Sequence, residues 1–408
     1  MKLRKYLLSN FFTLSLTLAA CTASPVKIES VAPLLDHLVG FAPAPEPALF
    51  SKLWTHRMKG LITDVDVSRD GSSILVASSP DRDTDGGSRI YTITNLDSNG
   101  KTRWELEPPA PLKSLASAED GSLAFVSLYN DTVSAVDPQG KTVWTVENSC
   151  RPVPFFDEKK IICFHDDDAA PSVAFDAYDF SGNKIASFPI GSDVLTLKFS
   201  PSRHYFALAL THGQVVLLDQ KFKVLWQKKI AGEVVDLAVS DEKEPRVVVL
   251  STKKSNEISN DQKITVLDHQ GNSIAPVKPS YHMEQIETVG TGASWAGYGN
   301  SLKGQHIEYF ELTRGKLVAK WERGDKKIAE YSSSILPTPN LILFGFEDIF
   351  SNSRHSHLLG FDLAGGLKLN LPLITEEGAY LFAQAFAPEA SLVIVGTDDG
   401  YLNAYRLK

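Results

Sequence analysis

Polar and apolar positions alternate along Thr132–Val136 (TVSAV), and its β-branched residues favour extended backbone, so the segment predicts a strand. Asp137-Pro138-Gln139-Gly140 then carries turn chemistry: Pro presets φ and Gly tolerates a positive one. Lys141–Val146 predicts a second strand, and it holds Trp144. The same phrase recurs along the chain. An acid closes a strand, Gly follows three residues later, and the next strand often carries Trp. The copies are Asp97/Gly100/Trp104, Asp137/Gly140/Trp144, Asp179/Gly182, Asp268/Gly271 and Asp362/Gly365. Looser copies are Asp219/Trp226, without the Gly, and Glu311/Gly315/Trp321, with one extra residue.

These acids stand 40, 42, 40, 49, 43 and 51 residues apart. Four strand-like runs in each period of roughly 40–50 residues predict an all-β chain folded as a single β-propeller. Eight four-stranded blades fit, at 58–107, 108–148, 149–189, 190–230, 231–279, 280–324, 325–374 and 375–408. The copy at 280–324 is the weakest, and an irregular blade there would leave seven. The last copy has only three strand runs, while Ser51–Arg57 looks like a Trp-bearing fourth strand with none before it. The N-terminal strand should therefore pair into the last blade and close the ring, hiding both sheet edges. Asp70-Gly71 and Asp120-Gly121 mark hairpins within blades, with Ser200-Pro201 and Ala387-Pro388 at corresponding points. Val247–Leu250 is a continuous apolar run, as a strand buried on both faces requires. Five of the six Trp fall at one repeat position, which suits inter-blade packing better than ligand stacking. Ser255–Lys263 reads as a solvated loop and Phe346–His357 as a face-decorating insert.

Ahead of the propeller (50–408), residues 1–20 read as an export signal. Lys2, Arg4 and Lys5 are followed by a short apolar run, then Leu18-Ala19-Ala20-Cys21. The run is too short for a comfortable membrane span. This resembles a bacterial lipoprotein signal, which implies lipid attachment at Cys21. With Thr22 rather than Asp next, it also implies sorting to the outer membrane. Residues 21–49 form an Ala/Pro-rich tether. The net charge is −8 and the signal holds three of the cations, so the remainder is more acidic still. That balance, with no basic stripe, argues against nucleic-acid binding.

Candidate chemistry is sparse. Cys150 and Cys163 flank a turn near Asp157-Glu158, and folding that hairpin brings them within about two residues of opposition. An oxidising compartment would permit a disulfide; the alternative is two buried thiols. Asp81, Asp83 and Asp85 precede Gly86 in a DxDxDG run that could wrap a structural Ca²⁺. Thr92 stands where a calcium loop wants Glu, so a solvated loop is the alternative. His165-Asp166-Asp167-Asp168 reads as an acidic turn and His355/His357 as a surface pair. No nucleophile elbow, zinc-protease helix or phosphate loop is present. A catalytic set assembled from several blades would leave no such motif.

The acid–turn–Gly-Lys–x–x–Trp phrase, best at 97–104 and 137–144, resembles the repeat of the quinoprotein (PQQ-like) propellers; the Asp-Gly hairpins resemble WD40-like ones. With the signal at Cys21, the chain is similar to BamB-type lipoproteins, adaptors in outer-membrane β-barrel assembly. The resemblance implies a monomeric, periplasm-facing scaffold for envelope proteins, possessing no PQQ, since the adjacent Cys-Cys pair of quinoprotein dehydrogenases is missing. The alternatives are a lactonase-like hydrolase working in the central funnel and a ligand-binding or sensory propeller.

Overall fold

The fold starts from its turns. Asp97 Oδ1 accepts the N–H of Asn99 and of Lys101, each at 2.9 Å, and Gly100 N–H closes onto Asp97 O at 2.9 Å. Asp137 repeats the set through Gln139, Lys141 and Gly140. A short acid that bonds backbone two and four residues on is what makes this four-residue phrase a hairpin. The computed structural model describes residues 50–408 apart from 80–90, 149, 156–157, 165–172, 190–193, 254–260, 291–293, 302–303, 326–334, 339, 349–354 and 374–380.

Successive hairpins build eight antiparallel four-stranded sheets, the blades. Blades 1 to 7 span 61–106, 112–147, 151–189, 194–229, 233–277, 285–325 and 335–373. Blade 8 takes three strands from 381–407, and its outermost strand is Phe50–Arg57, from the other end of the propeller. Phe50 pairs with Leu407 and Arg57 with Tyr401, so the ring closes as the sequence predicts. The blade at 280–324 is regular and has the longest strands, Gly304–Thr313 and Lys316–Asp325. Among the described residues the core is divided rather than single. Eight apolar clusters fill the eight seams between neighbouring blades. Central strands such as Val247–Leu250 are buried on both faces.

The Trp positions staple those seams. In every outermost strand one residue bulges out of the ladder just before the Trp position: Ala135 pairs with Trp144 and Val136 with Thr142, leaving Val143 out. The others are Leu53, Arg103, Ile185, Leu225, Ile274, Lys320 and Lys368. The bulge re-aims the next side chain toward the neighbouring blade. Trp104 thereby lies on the Gly140 turn of blade 2, so close that a Cβ on Gly140 would sit 2.8 Å from Trp104 Cβ. Gly140 also has φ +82°, a conformation that costs other residues about 1–2 kcal/mol. The same seat holds Trp54 on Gly100, Trp144 on Gly182, Trp226 on Gly271 and Trp321 on Gly365. Three indoles also donate to the turn: Trp54 to Ser98 O at 2.9 Å, Trp144 to Phe180 O at 2.8 Å and Trp321 to Leu363 O at 3.1 Å.

One seam inverts the pair. Blade 3 has Ala186 at the Trp position, and blade 4 has Phe222 at the Gly position, with φ +65°. The ring of Phe222 fills the space that the small residue leaves. It packs 5.7 Å from Phe155 and 5.4 Å from Phe175, centroid to centroid. The copy that lacks its Gly is therefore a compensated copy. The sixth Trp, Trp295, is fully buried in the seam between blades 5 and 6, where the outer position is Ala275.

The strand order gives the ring two unlike faces. Turns joining strands one to two and three to four share a turn face, where they bond one another, as in Phe180 N–H to Lys159 O and Gln220 N–H to His204 O. The other connections share a loop face. The widest sequence gaps, such as Ser79 to Thr92 and Thr252 to Lys263, open from strand ends there. Two sequence expectations need correction. Much of Phe346–His357 is strand: Phe346 pairs with His357 and Asp348 with His355. His357 is buried, its Nδ1 2.8 Å from Asn370 Oδ1, because the extended hairpin carries it inside. Within Ser255–Lys263, Gln262 is likewise buried, clamping Met283 by Nε2–H to its O at 2.7 Å and Oε1 to its N–H at 2.6 Å.

The inverted seam gives a direct test of this packing. Ala186→Trp overfills it and lowers stability by about 1–3 kcal/mol. Phe222→Gly empties it and, with the positive φ relieved, lowers stability by about 2–4 kcal/mol. The double variant restores the Trp-on-Gly seat, so urea midpoints should place it above the sum of the singles. Strict additivity would contradict the pairing.

Candidate functional site

Charged residues interrupt the apolar innermost strands and so meet around the central channel. Asp64 and Asp66 stand on blade 1, Lys198 on blade 4, Asp236 on blade 5 and Glu287 on blade 6. Asp66 accepts the Ser117 N–H at 2.6 Å and Asp236 the Ile286 N–H at 2.9 Å, each from the next blade. Lys198 Nζ lies 2.5 Å from Glu287 Oε1 and 3.5 Å from Asp236 Oδ2, so three blades share one charge network, buried at Asp236 and half-buried at the other two. Burial pushes Asp236 up to about 6, with Lys198 opposing and Glu287 reinforcing. Burial alone would lower Lys198, but Glu287 and Asp236 outweigh it and hold its ammonium above the ordinary range. Asp64 rises to about 6 through burial and then the charge of Asp66. The channel carboxylates thus tie blades together. Among the described residues, no group of three or more His, Cys, Asp or Glu is arranged to hold a metal.

The turn-face mouth of the channel holds a cavity of about 260 Å³, lined in part by Asp66, Arg69, Glu119, Arg203, Phe386 and Pro388. Arg69 bridges three blades: Nη1 lies 2.6 Å from Glu119 Oε1 and Nε 3.2 Å from Glu389 Oε1. Its backbone joins them as well, Arg69 N–H to Glu119 O and Glu389 N–H to Arg69 O. Arg203 takes, at φ +59°, the turn position that Gly71 and Gly121 hold in blades 1 and 2. Its Nη1 donates to Pro154 O of blade 3. Burial lowers its guanidinium to about 10, against the pull of Asp66 and Glu119. This mouth is a brace in which cations and anions of neighbouring blades satisfy one another.

The loop face differs. Tyr129, in the hairpin between Ala124–Leu128 and Thr132–Val136, is 63% exposed. Its N–H donates to Pro111 O at 2.9 Å, which fixes the backbone beneath a free ring. Leu195, at the start of the innermost strand Val194–Phe199, is 47% exposed. Large side chains held in the open, with the backbone fixed beneath Tyr129, are what a protein-docking surface needs.

Of the residues singled out by sequence, Cys150 and Cys163 meet in the seam between blades 2 and 3. Their Cα atoms lie 5.0 Å apart and both are fully buried. Ser127 Oγ donates to Cys150 O beside them. Cys21, Asp81, Asp83, Asp85 and His165–Asp168 lie outside the described residues. The Lys198–Asp236–Glu287 network escaped sequence reading. Its signal is a single charge inside each of VLTLKF, EVVDLAV and QIETV, but nothing local says that they meet.

Eight closed blades with Trp seated on turn glycines leave a definite family question. A family model described as outer membrane protein assembly factor BamB matches residues 89–319, more than half of the chain. The chain belongs to this BamB family. No curated protein matches it. Among solved structures, the Sqt1 propeller of Chaetomium thermophilum bound to the N-terminus of ribosomal protein L10 is similar at 12% identity and a TM-score of 0.65. That match covers 88% of this chain and 99% of the other. Sqt1 alone gives 0.64 with the same identity and coverage. At that identity the likeness shows the propeller fold alone.

The raised Asp236 value fixes the sign of a pH effect. The folded chain keeps a proton that the unfolded chain has released, so this group's contribution is full below about 4 and is lost as pH rises through about 6. Asp236→Asn removes that loss. Its stability relative to the parent should therefore rise between pH 4 and pH 7, by about 3 kcal/mol at most. Denaturant midpoints of both proteins at the two pH values check this, and a gap that stays constant or shrinks contradicts it.

Proposed function

We propose that this BamB-family propeller is a non-enzymatic protein-interaction scaffold of the bacterial envelope. In this reading, lipid on Cys21 anchors it in the outer membrane, the propeller faces the periplasm, and it works in outer-membrane protein assembly. The observation that carries the scaffold role is the loop face, where Tyr129 is held out on fixed backbone and Leu195 is exposed, while the channel charges pair with one another. Family membership supports the link to assembly. A propeller of the same architecture has been solved holding a protein's N-terminus, which supports protein partners for such a ring. The leader and Leu18-Ala19-Ala20-Cys21 support the anchor, and the meeting of Cys150 with Cys163 supports an oxidised pair in an exported chain. The reading requires no cofactor.

One preparation from the native envelope tests it. Intact mass should show a lipid-modified Cys21 and the loss of two hydrogens that a Cys150–Cys163 bond entails. In-vivo crosslinking should capture barrel-assembly components, and Leu195→Asp with Tyr129→Ser should cut that capture ~10-fold or more, as loss of an apolar anchor does. An unlipidated chain would contradict the anchor. Two free thiols would contradict the disulfide. Absence of any specific envelope protein would contradict the scaffold.

A further inference from the structure

The outermost strand of each blade is an open sheet edge, and the bulged residue at its centre stands on the rim. Open edges are ordinarily guarded by charge. Three blades follow that rule with Arg103, Lys320 and Lys368; Lys320 reaches Glu311 at 3.0 Å and Lys368 reaches Asp362 at 3.2 Å. Five blades carry an apolar residue there instead. Leu53 and Ile274 are half-buried. In three consecutive blades the bulged residue is both apolar and exposed: Val143 at 53%, Ile185 at 50% and Leu225 at 38%.

Blade 4 goes furthest. Because the bulge turns two successive side chains outward, Val224 is exposed beside Leu225. Lys221 and Lys223 lie exposed at the turn-face end of this edge, and Lys229 at the loop-face end. Asp219, two residues before Lys221, has its Oδ1 taken by the N–H groups of Lys221 and Lys223. On the blade 3 edge, by contrast, Lys184 is paired with Asp176 at 2.7 Å. A basic, apolar edge on a chain of net charge −8 is a local reversal of the whole molecule's sign. Solubility does not call for it, since exposed apolar edges invite association.

We propose that the outer edge of blade 4, Val224–Lys229, is a docking strip for an extended acidic segment of a partner protein. The segment adds as a fifth strand along Trp226–Lys229, sets one apolar side chain against Val224 and Leu225, and places carboxylates on Lys221, Lys223 and Lys229. Main-chain bonds supply affinity, while the apolar contact and the charges select the sequence. This rests on the scaffold reading and adds a second surface to it, on the rim and away from Tyr129 and Leu195.

The test uses the full lipoprotein in cells, with the photo-crosslinking residue p-benzoylphenylalanine placed at Leu225, at Tyr129 or at Arg103 on the guarded edge of blade 1. Leu225 should crosslink to a partner peptide whose sequence holds several Asp or Glu and an apolar residue, while Arg103 should not. Lys221→Glu, Lys223→Glu and Lys229→Glu together should reduce the Leu225 crosslink ~10-fold and leave the Tyr129 crosslink intact. Crosslinks at Tyr129 with none at Leu225 overturn the strip and leave the scaffold standing. A Leu225 crosslink to a second copy of this chain, to a peptide without acids, or one indifferent to the charge reversal also overturns it. Silence at both positions removes the scaffold reading and the strip together.

Discussion

A Trp side chain laid on the Asp-x-x-Gly turn of the next blade is the contact on which the ring depends. A four-stranded sheet alone leaves two apolar faces and two open edges. Each blade must therefore borrow its stability from its neighbours. The bulge, the Trp and the turn Gly form one device: the bulge aims the indole, the bare Gly admits it, and the indole N–H of three copies reaches a turn carbonyl. The ring closes when Phe50–Arg57 completes blade 8 and delivers Trp54 to Gly100 of blade 1. Without that strand, blade 8 loses its outermost strand and its seam with blade 1 loses its staple.

Much of this was visible in the sequence because the device is local. Acid, turn, Gly and Trp lie within eight residues, and the spacing of the copies counts the blades. What was not visible depends on contacts between distant residues. Phe222 looked like a missing Gly, although its meaning lies in Ala186, thirty-six positions earlier. Lys198, Asp236 and Glu287 are solitary charges until the ring brings three blades to one axis. Gln262 and His357 read as surface residues because their neighbours in sequence are polar, yet Met283 and Asn370 hold them inside.

The same construction explains why function is so weakly written in the chain. Residues that repeat are those that make blades, and they say nothing of partners. The turn face is braced by Arg69, Glu119 and Glu389, and the channel by its own ion pairs, so both serve the ring. What remains for recognition is the side chains that the repeat does not need: Tyr129 and Leu195 on the loop face, and the apolar bulges on the rim. A stiff ring that offers unlike surfaces in fixed relation suits a scaffold better than a machine that must open and close.

The most direct test of the account is native-state hydrogen exchange on the propeller, comparing the parent with Trp54→Ala. If seams hold the ring, amides in the buried central strands of all eight blades share one opening free energy. The Trp54 change should then lower it for every blade together. Selective opening of blade 8, with the far blades 4 and 5 keeping their protection, would show that the blades stand on their own and would contradict the account.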